Sequence, residues 1–133
     1  MSGAKSLDLQ RADHALQAVE KLKGKDIGHY VSYVRALPAN ILQNGLGQSL
    51  ASLLAAQGEG KESLHRLYDQ IQEWLCQSYE GAPYAGKPKL MQAITKGSEQ
   101  DYLHAHAEAL AYLIWLKKFT VAFLKEPEPG DTP

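Results

Sequence analysis

Apolar residues recur at three- and four-residue steps along most of the chain, the spacing of one face of an α-helix. From Ser6 to Leu22 they are Leu9, Ala12, Leu16, Val19 and Leu22, and Gly24 follows as a stop. A second helix is predicted from Asp26, an N-cap residue type, carrying Ile27, Tyr30, Val31, Val34 and Leu37 inward. Pro38 reads as the first turn of a third helix, where a proline removes no internal hydrogen bond. That helix runs to about Ala56, with Leu42, Leu46, Leu50 and Leu53 on one face and Asn44-Gly45 inside its pattern. Gly58 and Gly60 punctuate. The fourth helix covers Lys61 to Tyr79 and turns Leu64, Leu67, Tyr68, Ile71, Trp74 and Leu75 inward.

Gly81 to Lys89, with two glycines and two prolines, reads as a loop. A short helix follows over Pro88 to Lys96. Ser98 and Asp101 resemble a capping box, with Asp where Glu or Gln is usual. The last helix is the longest, Glu99 to Lys125, and is expected to bury Leu103, Ala107, Leu110, Ile114 and Val121. Strand signals are missing from the sequence. The expectation is an all-α fold: one small bundle of five to six helices over residues 1–125, then an acidic, Pro-rich tail over 126–133 that is expected to be disordered.

Composition agrees with this picture and narrows the function classes. The 133 residues are 44% hydrophobic and 22% charged. A domain of that length buries roughly two-thirds of its unfolded surface and needs no metal or disulfide to fold. The start, Met1 to Gln10, has no apolar run of a signal peptide, and no stretch is long and apolar enough to span a membrane. The lone cysteine, Cys76, lies beside Trp74 and Leu75, which reads as buried, inert packing. The cytoplasm is therefore the expected compartment. Net charge is -1, and the tail alone holds three acids and no base. Any nucleic-acid contact must then use a local patch.

One segment is unusual. Ile27 to Gly58 holds a single charged residue, Arg35, in 32 positions. Surface helices normally carry a charged face, so these are either enclosed or offered to a partner. Asn40, Asn44, Gln48 and Ser52 step by four and form a neutral polar stripe, while Gly47, Ala51 and Ala55 form a stripe of small residues that admits a close helix. Amides and one arginine suit phosphate, ribose or a protein backbone. Arg35, Asn44 and Gln48 are accordingly candidate contact residues.

Catalytic chemistry finds little support. His104 and His106 lie about 200° apart on a helix and cannot share a metal from one face. His104 and Glu108 can meet, but two ligands do not make a site. No nucleophile elbow, Walker-type loop or dinucleotide fingerprint occurs. No metal and no cofactor are expected. Three basic clusters remain: Lys21, Lys23 and Lys25 after the first helix; Lys87, Lys89 and Lys96 in an acid-free stretch; and Lys117 and Lys118 beside Trp115 and Phe119. The first suits a helix C-terminus. The last has no capping role and is the better candidate for a phosphate backbone, with Lys21 and Lys25 assisting.

Three segments carry a resemblance: Tyr33-Val-Arg-Ala-Leu-Pro38, Ile41-Leu-Gln-Asn-Gly-Leu-Gly-Gln-Ser-Leu-Ala51, and Tyr112-Leu-Ile-Trp-Leu-Lys-Lys-Phe119. In this order they resemble the small helical subunit of type III-B CRISPR–Cas (Cmr) effector complexes. Residues 58–98 share only their helical, polar character with that family. The resemblance implies a non-catalytic subunit that stacks in several copies as the minor filament of a ribonucleoprotein. It implies partners: other Cmr subunits, further copies of itself, and the backbones of guide and target RNA. Two readings of other classes stay beside it, a helical adaptor that binds only protein and a small metalloenzyme using His104 and Glu108. Salt-dependent RNA binding separates the first, and metal analysis the second.

Overall fold

The computed structural model describes residues 5–77 and 79–124. Among these residues six helices follow in order: α1 Leu7–Glu20, α2 Tyr30–Asn44, α3 Leu46–Ala55, α4 Lys61–Cys76, α5 Leu90–Lys96 and α6 Glu99–Phe123. No strand occurs among the described residues. The all-helical expectation and the long final helix hold; the predicted tail and Lys125 lie outside the described residues.

The long α6 is the spine. It packs mainly against α1 and α2 and also touches α3 and α4, while α5 closes the end formed by α3 and α4. The core gathers Val19 from α1 and Leu22 just after it, Val34, Leu37 and Ile41 from α2, and Leu46 and Leu50 from α3. Leu67, Ile71 and Trp74 join from α4, and Tyr112, Leu113 and Leu116 from α6. Burying a side chain of Leu or Ile size stabilises by about 1.5–3 kcal/mol, so this shared interior is what holds the six helices together.

Local signals set several helix ends. Ser6 Oγ accepts from Leu9 N at 3.2 Å, and Ser98 Oγ accepts from Asp101 N at 3.0 Å, as the capping-box reading expects. Other helices are capped by tertiary neighbours. The Leu90 and Met91 amides that open α5 donate to Gln72 Oε1 at 2.8 Å and Tyr68 Oη at 3.1 Å, both from α4. Gly47 N, in the first turn of α3, donates to Tyr102 Oη at 2.9 Å. Gly47 sits in the predicted small-residue stripe, and this is where α6 comes close.

Three boundary and face expectations are corrected. Pro38 does not start a helix: it lies inside α2, and the break falls at Gly45, which both ends α2 and starts α3. Gly45 has φ +89, a backbone region that L side chains rarely adopt, and its N–H closes on Ile41 O at 2.8 Å while its carbonyl accepts from Ser49 N at 3.2 Å. Asp26 does not cap α2. Its carboxylate accepts from Gly28 N at 3.2 Å in a turn ahead of the helix, and His29 precedes Tyr30.

The third correction concerns which face is buried. Leu42, Leu103, Ile114 and Val121 are 70%, 60%, 56% and 53% exposed, and Leu9 and Ala107 are exposed as well. In α6 the buried set is Ala105, Glu108, Ala109, Tyr112, Leu113, Leu116 and Thr120. Apolar residues occur all round this helix, so periodicity alone did not choose the face that α1 and α2 cover.

Candidate functional site

The uncharged segment builds a groove. Because Gly45 turns the chain between α2 and α3, Asn40 and Asn44 from one helix and Gln48 and Ser52 from the next line a single concavity of about 470 Å³, with Tyr33 at its side. The polar stripe predicted for one helix is thus real but is shared by two. Ser52 Oγ donates to Gln48 O at 3.1 Å, and Ser49, buried in the same wall, has a hydroxyl with no partner among the described residues. Asn44 and Gln48 are exposed. Arg35 is exposed too but is not among the residues lining this groove.

A second surface lies where α6 passes Pro38. Leu113, Ile114 and Val121 form an apolar depression of about 470 Å³ with Pro38, and Lys117 and Lys118 are part of its wall. Both lysines are exposed. The aromatic row beside them is ordered: the Trp115 and Phe119 rings lie 5.7 Å apart, Phe119 and Phe123 6.1 Å. Trp115 Nε1 donates to Asp8 Oδ1 at 3.0 Å, which anchors the row to α1.

The first basic cluster divides. Lys23 Nζ sits 4.9 Å from the Phe123 ring centroid, a cation–π contact, so the lysine that reaches the aromatic row is Lys23. Lys21 instead lines a cleft of about 230 Å³ between α1 and α4, with His14, Arg66, Asp69 and Glu73. Lys25 is exposed in the turn after α1. Lys117 and Lys118 therefore share one surface, Asn44 and Gln48 another, and Lys21 a third.

The most organised polar centre was not legible as a site. Glu108 is 4% exposed. Its carboxylate accepts from Arg11 Nε at 2.6 Å, Arg11 Nη2 at 2.8 Å and Trp74 Nε1 at 2.9 Å. Both oxygens are thus engaged by α1 and α4, whereas His104, which the spacing would have allowed to meet Glu108, is exposed. Arg11 also donates to Asp8 Oδ1 at 3.1 Å, and hydrogen bonds from Trp115 and Arg11 hold the Asp8 carboxyl below its usual range. Trp74 stacks on Tyr112 at 5.3 Å. His14 joins the same cluster, with Nδ1 2.7 Å from Tyr112 Oη and Nε2 2.5 Å from Glu73 Oε1. Burial pushes the Tyr112 phenol well above its ordinary value, so it stays a neutral hydrogen-bonding group. This centre locks α1, α4 and α6 together.

Cys76 is fully buried, and desolvation pushes its thiol up to about 11. No group of three or more His, Cys, Asp or Glu that could hold a metal occurs among the described residues, and none of their helices is long and apolar enough to cross a membrane.

Comparison with known proteins places the chain beside a family and a solved structure. The family model described as CRISPR-associated protein (Cas_Cmr5) matches residues 7–123. Among solved structures, the X-ray crystal structure of a CRISPR-associated Cmr5 family protein from Thermus thermophilus aligns with a TM-score of 0.70 at 24% sequence identity, over 92% of this chain and 100% of that one. At that identity the second match speaks for the shared helical fold.

Proposed function

This chain belongs to the Cmr5 family of CRISPR-associated proteins, and from that premise we propose that it is a non-catalytic structural subunit of a type III-B (Cmr) ribonucleoprotein. In this reading it stacks in several copies as the minor filament, beside other Cmr subunits in the cytoplasm, and helps to hold guide and target RNA. The observation that carries the reading is the surface where Pro38, Ile114 and Val121 lie open next to Lys117 and Lys118. Exposed apolar side chains of this kind suit a protein neighbour, and the two adjacent cations suit a phosphate backbone running past it. The uncharged groove over Asn44 and Gln48 offers a second contact face that needs no counter-charge, with Arg35 exposed elsewhere on the same helix as Asn44. Lys21 and Lys25 contribute further basic contacts.

Backbone contacts by lysine release counterions and carry no base preference. The test is target-RNA binding by the assembled complex with Lys117→Ala and Lys118→Ala in every copy. The salt slope of binding is expected to fall by about 0.7 for each lysine–phosphate pair removed, equally for RNAs of different sequence. Unchanged affinity and slope would remove these two residues from the RNA path. A complex that assembles without this subunit and binds RNA identically would overturn the reading as a whole.

A further inference from the structure

The end of α6 meets a lysine-rich turn. Lys21, Lys23 and Lys25 follow α1, and all three are exposed. Lys23 Nζ lies 4.9 Å from the ring centroid of Phe123, the last residue of α6. The turn is held in place. Lys21 N donates to Gln17 O at 3.1 Å, Leu22 N to Val19 O at 2.9 Å and Lys25 N to Leu22 O at 3.1 Å, while the Leu22 side chain sits in the core. Among the described residues none of the three lysines is in an ion pair. Glu20 and Asp26 flank the turn, and Asp26 accepts from Gly28 N. Asp69 and Glu73 line the cleft beside Lys21, together with Arg66 and His14.

The chain leaves α6 at the same place. Leu124 is extended, with φ -114 and ψ 145, and its side chain is buried. Lys125 follows, and then residues 126–133, which hold Glu126, Glu128 and Asp131 and no base. A backbone spans at most about 3.4 Å per residue, so Glu126 and Glu128 lie no farther than about 7 and 14 Å from Leu124. The lysines of the turn, one of which touches Phe123, are inside that range. The cluster of Lys87, Lys89 and Lys96 is not. It lies by Asp101 at the other end of α6, a helix of 25 residues and so about 37 Å long, whereas Asp131 stays within about 24 Å of Leu124. Lys117 and Lys118 are within reach, but it is the Lys21–Lys25 turn that touches the last residue of the helix.

We propose that residues 126–133 of this same chain fold back on the Lys21–Lys25 turn, where Glu126 and Glu128 pair with its lysines and screen them from other polyanions. Pro127 and Pro129 fix φ at about -65° and favour an extended backbone, which sets the two acids about 6 Å apart and limits the entropy lost on docking. Exposed ion pairs are weak one by one, but the covalent link keeps the acids at an effective concentration on the order of millimolar. The contact is therefore open to displacement by a phosphate backbone. That this backbone is RNA rests on the function proposed above, which gives Lys21 and Lys25 a part in the RNA path.

Carbodiimide coupling of the 133-residue chain reads the contact directly, because it turns a carboxylate touching a lysine into an amide. Peptide mass spectrometry is expected to find Glu126 or Glu128 joined to Lys21, Lys23 or Lys25. The yield should not change on dilution, and should fall as added salt shortens the Debye length from about 10 Å to about 3 Å. Absence of these links, or links to Lys117 and Lys118 alone, overturns the docking. A yield that falls on dilution overturns its placement within one chain. The screening is read from the affinity for a labelled oligouridine. Glu126→Gln, Glu128→Gln and Asp131→Asn together are expected to tighten binding about two- to tenfold, the factor by which a contact closed half to nine-tenths of the time lowers apparent affinity. In a chain that also carries Lys21→Gln, Lys23→Gln and Lys25→Gln, the same replacements should give no gain. An equal gain in both backgrounds assigns the effect to overall charge and overturns the screening, as does no gain in a chain that forms the links. Links in a chain whose variants all fail to bind oligouridine uphold the docking and count against the RNA contacts of Lys21 and Lys25.

Discussion

Arg11 and Glu108, 97 residues apart, meet through two parallel hydrogen bonds of 2.6 and 2.8 Å at a point where the carboxylate is 3% exposed. The guanidinium is held more firmly protonated by that carboxylate. A carboxylate so enclosed is tolerable only because the planar fork of arginine and the Trp74 indole supply its hydrogen bonds. The pair fixes the approach of α1 to α6, while Trp74 ties both to α4.

Removing one partner leaves the other charge buried. Arg11→Ala is expected to lower unfolding free energy in urea by about 3–5 kcal/mol. Arg11→Lys should recover only part of that, because a lysine cannot form the fork. A loss below about 1 kcal/mol for Arg11→Ala would show that Glu108 finds other partners.

Two substitutions near the α2–α3 junction should act in opposite directions. Gly45→Ala forces an L side chain to φ +89 and puts its Cβ 3.3 Å from Tyr102 Oη, so a loss of about 1–3 kcal/mol is expected. Pro38→Ala restores an amide able to donate to Val34 O within α2 and removes a ring clash, so a gain of about 1 kcal/mol is expected, part of the helix benefit being offset in the unfolded chain. Chemical denaturation of the two variants checks the signs; a Gly45→Ala protein as stable as the parent refutes the strained turn.

Cys76 should be silent until the protein opens. Its folded thiol is raised from the ordinary 9.0 to about 11 by burial. Below pH about 9 both folded and unfolded thiols hold their proton, and the full stability is present. As pH rises from there towards about 11, the unfolded chain releases the proton first, so stability falls. Cys76→Ala should flatten that part of the pH profile, although the cavity it leaves lowers stability at every pH. At pH 8 an aromatic disulfide reagent should modify Cys76 only at the rate of unfolding; fast modification of the folded chain contradicts the burial.

Asn44 and Gln48 should be dispensable for folding. Both side chains are exposed on the groove wall, so Asn44→Ala with Gln48→Ala is expected to change stability by no more than about 0.5 kcal/mol per site. The same double variant should weaken incorporation into the assembled complex, read from subunit stoichiometry after purification. A large stability loss would assign these amides to the monomer instead of to a partner.

The helical class, a count of five to six helices and the capping serine ahead of α6 were decided by the sequence alone, because three-to-four periodicity and side-chain caps act over a few residues. So were the inward positions Val34 and Leu37 of α2 and Ile71 and Trp74 of α4, which stand opposite polar neighbours that mark the outside, though not Leu42 at the end of α2. The neutral residues Asn40, Asn44, Gln48 and Ser52 were legible as a stripe, but on one helix; the turn at Gly45 divides them between α2 and α3. The tertiary structure decided what depends on distant partners. Ile114 and Val121 could not be told from Leu113 and Leu116 until α1 and α2 covered one side of a helix that is apolar all round. Pro38 stayed within a helix because the core of Val34, Leu37 and Ile41 outweighs one missing backbone hydrogen bond, which moved the break to Gly45. From spacing Glu108 could be related only to His104, yet Arg11 and Trp74 reach it from 97 and 34 residues away. Burial and charge pairing are properties of the packed whole, and spacing along a chain carries no record of which helix arrives on which side.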